Sequence, residues 1–444
     1  MLDWIYQRFE TYGERIACFE ANRCWSYKDL LEEIKRCTKQ LTGIAAKEPS
    51  VIVIPQEETL FSLAALFAVA HAKHIALPMS AEIPTAEQNE QQGSAGATFI
   101  FSKKSLRKLK PPVYRSNAED LLAAHKYSGL ILFSSGTTGK PKGVLHNLDT
   151  FLNRYRTVCP RSDRTIQLLP TDHMGGLDAA LRTLFAGSAL VVPTARTPLA
   201  VGEVIERYQA SILPASPSFL NLFLLANVPE TYDCESLEVI AYGAEPMQEH
   251  LLQRLVNQFP KVDFQQKFGT SETGAIRIKS ERNDSLYFRI EDSGVEWRVV
   301  NKELWLKTSS QTLGYLNSEK NPLEADGWYR TGDLVHQAEN GALRIIGRQS
   351  EWINVGGQKV HPSEIETVIA ELEDVDACKV FDKPDAILGT SIACTIITRS
   401  EHDLRSWKRK IRTHCRDRIA SWKIPTSVEL SAELSLNSRL KRKA

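Results

Sequence analysis

Gly129-Leu-Ile-Leu-Phe133, followed at once by Ser134-Ser-Gly-Thr-Thr-Gly-Lys-Pro-Lys-Gly143, is the stretch on which the fold turns. Five apolar residues ending in a Gly/Thr/Lys run read as a buried strand feeding a loop. Three glycines let backbone N–H groups approach an anion closely, and Ser and Thr hydroxyls add further donors. Lys140 and Lys142 bring positive charge, so the run is built to hold phosphate. It is not a Walker A loop, because Ser134 stands where that motif needs its first glycine and Pro141 where it needs Ser or Thr. A kinase-like phosphoryl transferase is excluded on the same ground.

Working outward, short β-branched runs alternate with helical patterns, which is the signature of an α/β layered fold with parallel strands. Strands are expected at Val51–Ile54, Ala189–Val192 and Leu237–Ala241, besides Gly129–Phe133. Helices are expected at Thr59–Ala72, Gly176–Phe185, Val201–Gln209, Pro217–Leu225 and Gln248–Phe259. From about Ser285 the pattern turns to short strands such as Val295–Val300 and Glu303–Lys307, which suggests a β-barrel-like subdomain. A compact α+β unit follows, with a helix from Pro362, strands near Ala377–Phe381 and Ile392–Ile397, and a basic helix Asp403–Arg418. The expected fold class is thus α/β. A large N-terminal domain of layered sheets spans 1–347, a junction 348–351, and a small C-terminal α+β domain 352–444.

The 444 residues carry 55 Lys and Arg against 54 Asp and Glu, so no global field points to nucleic acid or an anionic membrane. Residues 401–444 hold 12 basic against 5 acidic residues, either a solvated face or a docking surface for an acidic partner. Eight cysteines lack metal or disulfide spacing, and thinly scattered thiols suit a reducing cytoplasm. The N-terminus lacks the apolar run of a signal peptide. The greasiest stretch, Leu60–Ala72, falls short of the ~20 residues that span a bilayer and reads as a buried helix.

At the phosphate loop the sequence resembles the adenylate-forming (AMP-binding) superfamily of acyl- and aryl-CoA synthetases, peptide-synthetase adenylation domains and luciferases. Four more blocks follow in that family's order. The resemblance implies that ATP and a carboxylic acid give acyl-AMP and pyrophosphate, and that a thiol, CoA or a carrier-protein phosphopantetheine, then takes the acyl group. It assigns Ser134, Ser135, Gly136, Thr137, Thr138, Gly139 and Lys142 to the ATP phosphates. His173, in Leu169-Pro-Thr-Asp-His-Met-Gly-Gly176, falls at the mouth of the acyl pocket. Met174 lies where amino-acid-activating relatives place an aspartate, which argues for an acid without an α-amino group. A compact N-terminal part favours a short acyl or aryl acid.

Gly243, Ala244 and Glu245 follow the strand Leu237–Ala241, and the resemblance places that turn along the adenine. Phe268-Gly-Thr-Ser-Glu272 supplies Phe268, Gly269, Thr270 and Ser271 to the nucleotide and Glu272 to Mg²⁺, which binds through few carboxylates plus phosphates. Asp333, in Trp328-Tyr-Arg-Thr-Gly-Asp-Leu334, would accept the ribose hydroxyls, with Arg348 beside ribose and phosphate and Ser350 at the hinge. Gly356 and Gly357 would line the thiol tunnel after the small domain rotates.

The C-terminus departs from the pattern. The family's Gly-Lys pair, whose lysine contacts the substrate carboxylate and α-phosphate, is replaced by Ser438-Arg439 in an ungapped register, or is deleted after Arg439. Arg is a planar fork rather than a point charge, so the change is not conservative. Arg439, Lys441 or Lys443 is expected to substitute. The rival reading is a homologue that binds adenylate without full catalysis.

Overall fold

The computed structural model describes residues 2–44, 49–102, 104–110, 128–134, 141–317, 321–385, 389–398 and 403–431. Two seven-stranded sheets carry the large N-terminal part. In the first, Asp263–Gln266, Val239–Tyr242, Ile212–Ala215, Arg164–Ile166, Ala189–Val191 and Ile16–Glu20 run parallel, and Arg23–Ser26 closes the edge as an antiparallel hairpin. In the second, Gly129–Ser134, Ile75–Met79, Val51–Pro55 and Ala97–Ser102 run parallel, flanked by antiparallel edges.

The helix Thr59–His71 is buried from Leu60 to Ala70. It packs in one core with Ile52, Ile54, Leu130 and Leu132 of the second sheet and Leu190 of the first. A helix apolar on every side is stable only between layers, which is why no polar face interrupts this run. The helix Pro217–Leu225 begins at Ser216, whose side chain accepts from Phe219 N–H, with Pro217 at the first turn where no N–H is missed.

The short strands form a six-stranded antiparallel sheet in the order Ile278–Ser280, Phe288–Ile290, Leu343–Arg348, Tyr329–Gln337, Glu303–Thr308, Val295–Val300. That order is linear, so the barrel-like unit expected from strand length is an open sheet. Its strands join neighbour to neighbour and the two ends of the row do not pair.

Beyond it lie the hairpin Ile353–Val355/Gln358–Val360 and the helix Pro362–Ile369. A three-stranded sheet of Val375–Asp385, Gly389–Thr398 and Ser427–Leu430 completes the unit with the helix Leu404–Arg416. The basic helix is shorter than the sequence pattern suggested, because Asp403 caps it through Ser406 N–H at 2.7 Å rather than joining it. Trp407, Ile411 and Cys415, four residues apart, are its buried stripe. Among the described residues no helix is long and apolar enough to cross a membrane.

Candidate active site

Ser134 and Lys142 face each other in the register of two antiparallel strands, so the phosphate loop is the connection of a hairpin. Ser135, Gly136, Thr137, Thr138 and Gly139 lie outside the described residues, as do Arg439, Lys441 and Lys443. Lys142 opens its strand with its ammonium 5.3 Å from the centre of the Tyr315 ring. Asn317 grips the backbone on both sides of Lys142, accepting from Gly143 N–H at 3.1 Å and donating to Pro141 O at 2.8 Å.

Glu272 sits in a tight turn after the strand Phe268–Thr270. The Thr270 hydroxyl accepts from the N–H groups of Glu272 and Thr273, 3.2 and 3.1 Å away. His146 Nε2 donates to Ser271 O at 2.6 Å, and burial holds the imidazole pKa below its usual value. The buried Glu272 carboxylate accepts the Tyr315 hydroxyl at 2.7 Å, and the Tyr329 phenol lies near enough to feel its charge. Burial, then the nearby Glu272 charge, pushes both phenols well above the ordinary tyrosine value, so both remain donors. Among the described residues no cluster of three His, Cys, Asp or Glu could hold a metal by itself. A single fixed carboxylate fits Mg²⁺ completed by phosphate oxygens and water.

Gly269 is required for packing, since a Cβ there would strike the backbone of Gly274. At Gly243 a Cβ would lie 2.6 Å from Lys267 O, and Ala244 takes φ +70°. Glu245 turns inward, accepting from Ser218 N–H at 3.2 Å. Phe268 is buried, with one ring face stacked on Phe288 at 6.0 Å, in the core of the antiparallel sheet.

Asp333 and Arg348 are opposed across Tyr329–Gln337 and Leu343–Arg348, with Arg348 Nε donating to Asp333 Oδ1 at 3.0 Å. The turn before Asp333 is braced twice. Thr331 Oγ1 accepts Asp333 N–H at 2.9 Å, and Glu303 accepts from Gly332 N–H at 3.1 Å and Arg330 Nη2 at 2.9 Å. Burial raises the Asp333 carboxyl above its usual range, and Arg348 only partly offsets that.

Ser350 is the middle of the short turn Gln349–Glu351, held by Arg348 N–H donating to Glu351 at 3.2 Å. His361, buried, reaches back across it, with Nε2 3.3 Å from Arg348 O and 3.4 Å from Glu351 Oε2. Gly347 is glycine because a Cβ would collide with that ring. Gly356 and Gly357, at φ +55° and +86°, turn an exposed hairpin. His173 precedes the helix Met174–Phe185 and lines a small polar pocket with Ser80, Phe133, Pro170 and Asp172.

The structure therefore links Lys142 to Glu272 through Tyr315, with the paired Asp333 and Arg348 near enough for Arg348 and Glu272 to act on one another. Glu245 and His173 come in from loops after strands of the first sheet. Tyr315, Tyr329, Asn317 and His361 were not singled out from sequence. Tyr329 lies inside the block Trp328–Leu334 quoted above, His361 just before the helix from Pro362, and Gly314-Tyr-Leu-Asn317 offered only a glycine beside polar groups.

The family model described as AMP-binding enzyme matches residues 5–315. The chain belongs to the AMP-binding enzyme family. The AMP-binding enzyme C-terminal domain matches residues 364–441 of the same chain. This AMP-binding enzyme is similar to 2-succinylbenzoate–CoA ligase of Geobacillus sp. (strain WCH70), 23% identical over 99% of this chain and 95% of that protein. It is also similar to acyl-CoA synthetase 7 of Caenorhabditis elegans, 28% identical over 68% of this chain and 61% of that protein. Among solved structures, anthranilate CoA ligase AuaEII in complex with anthranoyl-AMP shares the fold at a TM-score of 0.83, with 18% identity over 99% of this chain and 95% of that one. Amide bond synthetase McbA from Marinactinospora thermotolerans does so at 0.79, with 19% identity over 99% and 98%.

Proposed function

We propose that this AMP-binding enzyme is an AMP-forming acid–thiol ligase. A carboxylate oxygen attacks the α-phosphorus of ATP as the bond to pyrophosphate breaks, and a thiolate then attacks the acyl carbon as AMP leaves. The observation that carries the reading is Lys142 lying against the Tyr315 ring, whose hydroxyl holds Glu272, near the Asp333–Arg348 pair. It sets a phosphate cation, a metal-type carboxylate and a ribose-type carboxylate side by side.

In this reading Asp333 accepts the ribose hydroxyls, and Gly243, Ala244, Glu245 and Phe268 to Ser271 border the base. Glu272 would hold Mg²⁺, which neutralises charge on the phosphates. Lys142, with loop residues Ser134 to Gly139, steadies the departing pyrophosphate, electrostatic work of the kind that dominates such steps. His173 stands at the acyl pocket, Met174 makes it unsuited to an α-ammonium group, and the compact N-terminal part favours a short acyl or aryl acid. Arg348 to Glu351 is the hinge. In the described pose Gly356 and Gly357 are exposed, so lining a thiol tunnel requires the rotation. CoA is the acceptor proposed, with an acidic carrier protein as the variant that the basic C-terminal face favours. The cytoplasm is the proposed place of action, in keeping with eight free cysteines, six of them buried.

The test is carboxylate-dependent exchange of labelled pyrophosphate into ATP across short acyl and aryl acids. Exchange with at least one acid is expected, and Lys142→Ala should cut it about 10²-fold, the usual cost of one charge-stabilising group. ATP binding without exchange for any acid would instead identify a non-catalytic adenylate-binding homologue.

A further inference from the structure

The segment Thr312–Asn317 touches both halves of the array. It does so with groups that the sequence blocks did not single out. Its backbone is the outermost rung of the second sheet, where Gly314 pairs with Leu145, Tyr315 with Val144, and Leu316 N–H donates to Gly143 O at 2.9 Å. At Asn317 the ladder continues through a side chain. The carboxamide supplies one acceptor to Gly143 N–H and one donor to Pro141 O, as another strand residue would have done. Lys142 lies between those two bonds.

The same segment holds Glu272 from two directions. Thr312 N–H donates to Glu272 O at 2.7 Å, and the Tyr315 hydroxyl donates to Glu272 Oε1 at 2.7 Å. Tyr315 ends the short strand Gly314–Tyr315, and Asn317 lies in the bend just after it.

We infer that Asn317 and Tyr315 are positioning residues that set the separation of Lys142 and Glu272, Asn317 by clamping the root of the phosphate loop and Tyr315 by orienting the carboxylate. What they position rests on the ligase reading above; the clamp itself does not. Asn is specific here because the site needs a donor and an acceptor on one short planar group. Asp keeps the shape, but its oxygen in place of Nδ2 faces Pro141 O. Ala leaves both backbone groups without the side-chain partner.

Trypsin cleavage after Lys142 under native conditions reads the clamp without any turnover. Opening of a folded segment limits such cleavage, so the two hydrogen bonds lost in Asn317→Ala should raise its rate about tenfold, and Asn317→Asp, which loses the donor and sets an oxygen against Pro141 O, should raise it several-fold. Cleavage elsewhere should keep its wild-type rate. Tyr315→Phe should leave Lys142 protected and weaken the Mg²⁺ dependence of ATP binding several-fold by calorimetry. If wild type shows exchange, Asn317→Asp should lower kcat with little change in KM for the acid.

Wild-type cleavage at Lys142 in Asn317→Asp overturns the clamp, and this isosteric variant decides the matter if the alanine variant misfolds. Unchanged Mg²⁺-linked ATP binding in Tyr315→Phe overturns the second role. Absence of exchange in wild type with accelerated cleavage in Asn317→Asp would sink the ligase reading and leave the clamp standing.

Discussion

Asp333 illustrates how a functional carboxylate is kept at some cost to the fold. It is buried, and the loss of water around it raises its pKa more than Arg348, 3.0 Å away, lowers it. An acid whose folded pKa is raised gives the folded state extra stability on the acid side, lost as pH climbs past about 3.9 toward the folded value. At neutral pH the ionised Asp333 therefore opposes folding, and ligand binding is the compensating role. Asp333→Ala should weaken ATP binding about 10- to 150-fold, the equivalent of one charged hydrogen bond of about 1.5–3 kcal/mol. Calorimetry settles this, and wild-type affinity in the variant would contradict the ribose assignment. In wild type, ATP affinity should fall on acidification at a pH above the ordinary aspartate range.

Elements show why the array keeps its shape. The helix Met174–Phe185, which carries His173 at its start, is anchored by Asp178. That carboxylate accepts from Arg182 Nε at 2.8 Å and from the Tyr155 hydroxyl at 2.8 Å. Burial alone would raise the Asp178 pKa, but Arg182 and these hydrogen bonds outweigh it and the net direction is down. A depressed acid stabilises the fold above its unfolded value near 3.9, and that contribution is lost as pH falls through the folded pKa. Asp178→Asn should thus lose about 1–3 kcal/mol at pH 7 by urea melting, the gap closing below about pH 3.9. A gap that does not depend on pH would show that packing, not charge, is at work.

In the ligase reading proposed above, the turn Gln349–Glu351 must change conformation. Proline at Ser350 would fix φ there and disfavour the helical conformation of Gln349. Ser350→Pro should leave the urea midpoint near wild type while slowing at least one half-reaction. Pyrophosphate exchange and thioester formation from supplied acyl-adenylate, both unaltered, would remove the hinge from this turn.

At the scale of the whole molecule, polar contacts among the described residues hold the small domain against the large one. Asn221 Nδ2, on the helix Pro217–Leu225, donates to Asp376 O at 2.9 Å. Arg254 Nη1 lies 4.0 Å from Asp376 Oδ1 and donates to Asn221 Oδ1 at 3.3 Å. Ser363 donates to Ile346 O at 2.8 Å across the hinge. If the small domain rotates as proposed above, these contacts must break. Asn221→Ala removes one buried bond worth about 1 kcal/mol, so other orientations should gain about fivefold in population. Fluorescence transfer between dyes on the two domains measures that change, and an unaltered distance distribution would show that Asn221 does not hold the pose.

The sequence by itself determined the features that are local. Gly129 to Phe133 was legible as a buried strand, because apolar length acts within a few residues, whereas the second strand that starts at Lys142 was not read. Thr59–His71 was legible as a buried helix since no face of it is polar, and Pro217–Leu225 because a serine cap and a proline mark its first turn. Tertiary structure alone decided which side chains serve the array. Asn317 meets Pro141 over 176 residues of chain, and Tyr315 meets Glu272 over 43. It also decided that the short strands after Ser285 stay an open sheet. Periodicity and capping are set by neighbours in the chain, whereas those partners are chosen by the order in which strands pair, which no local run of residues encodes.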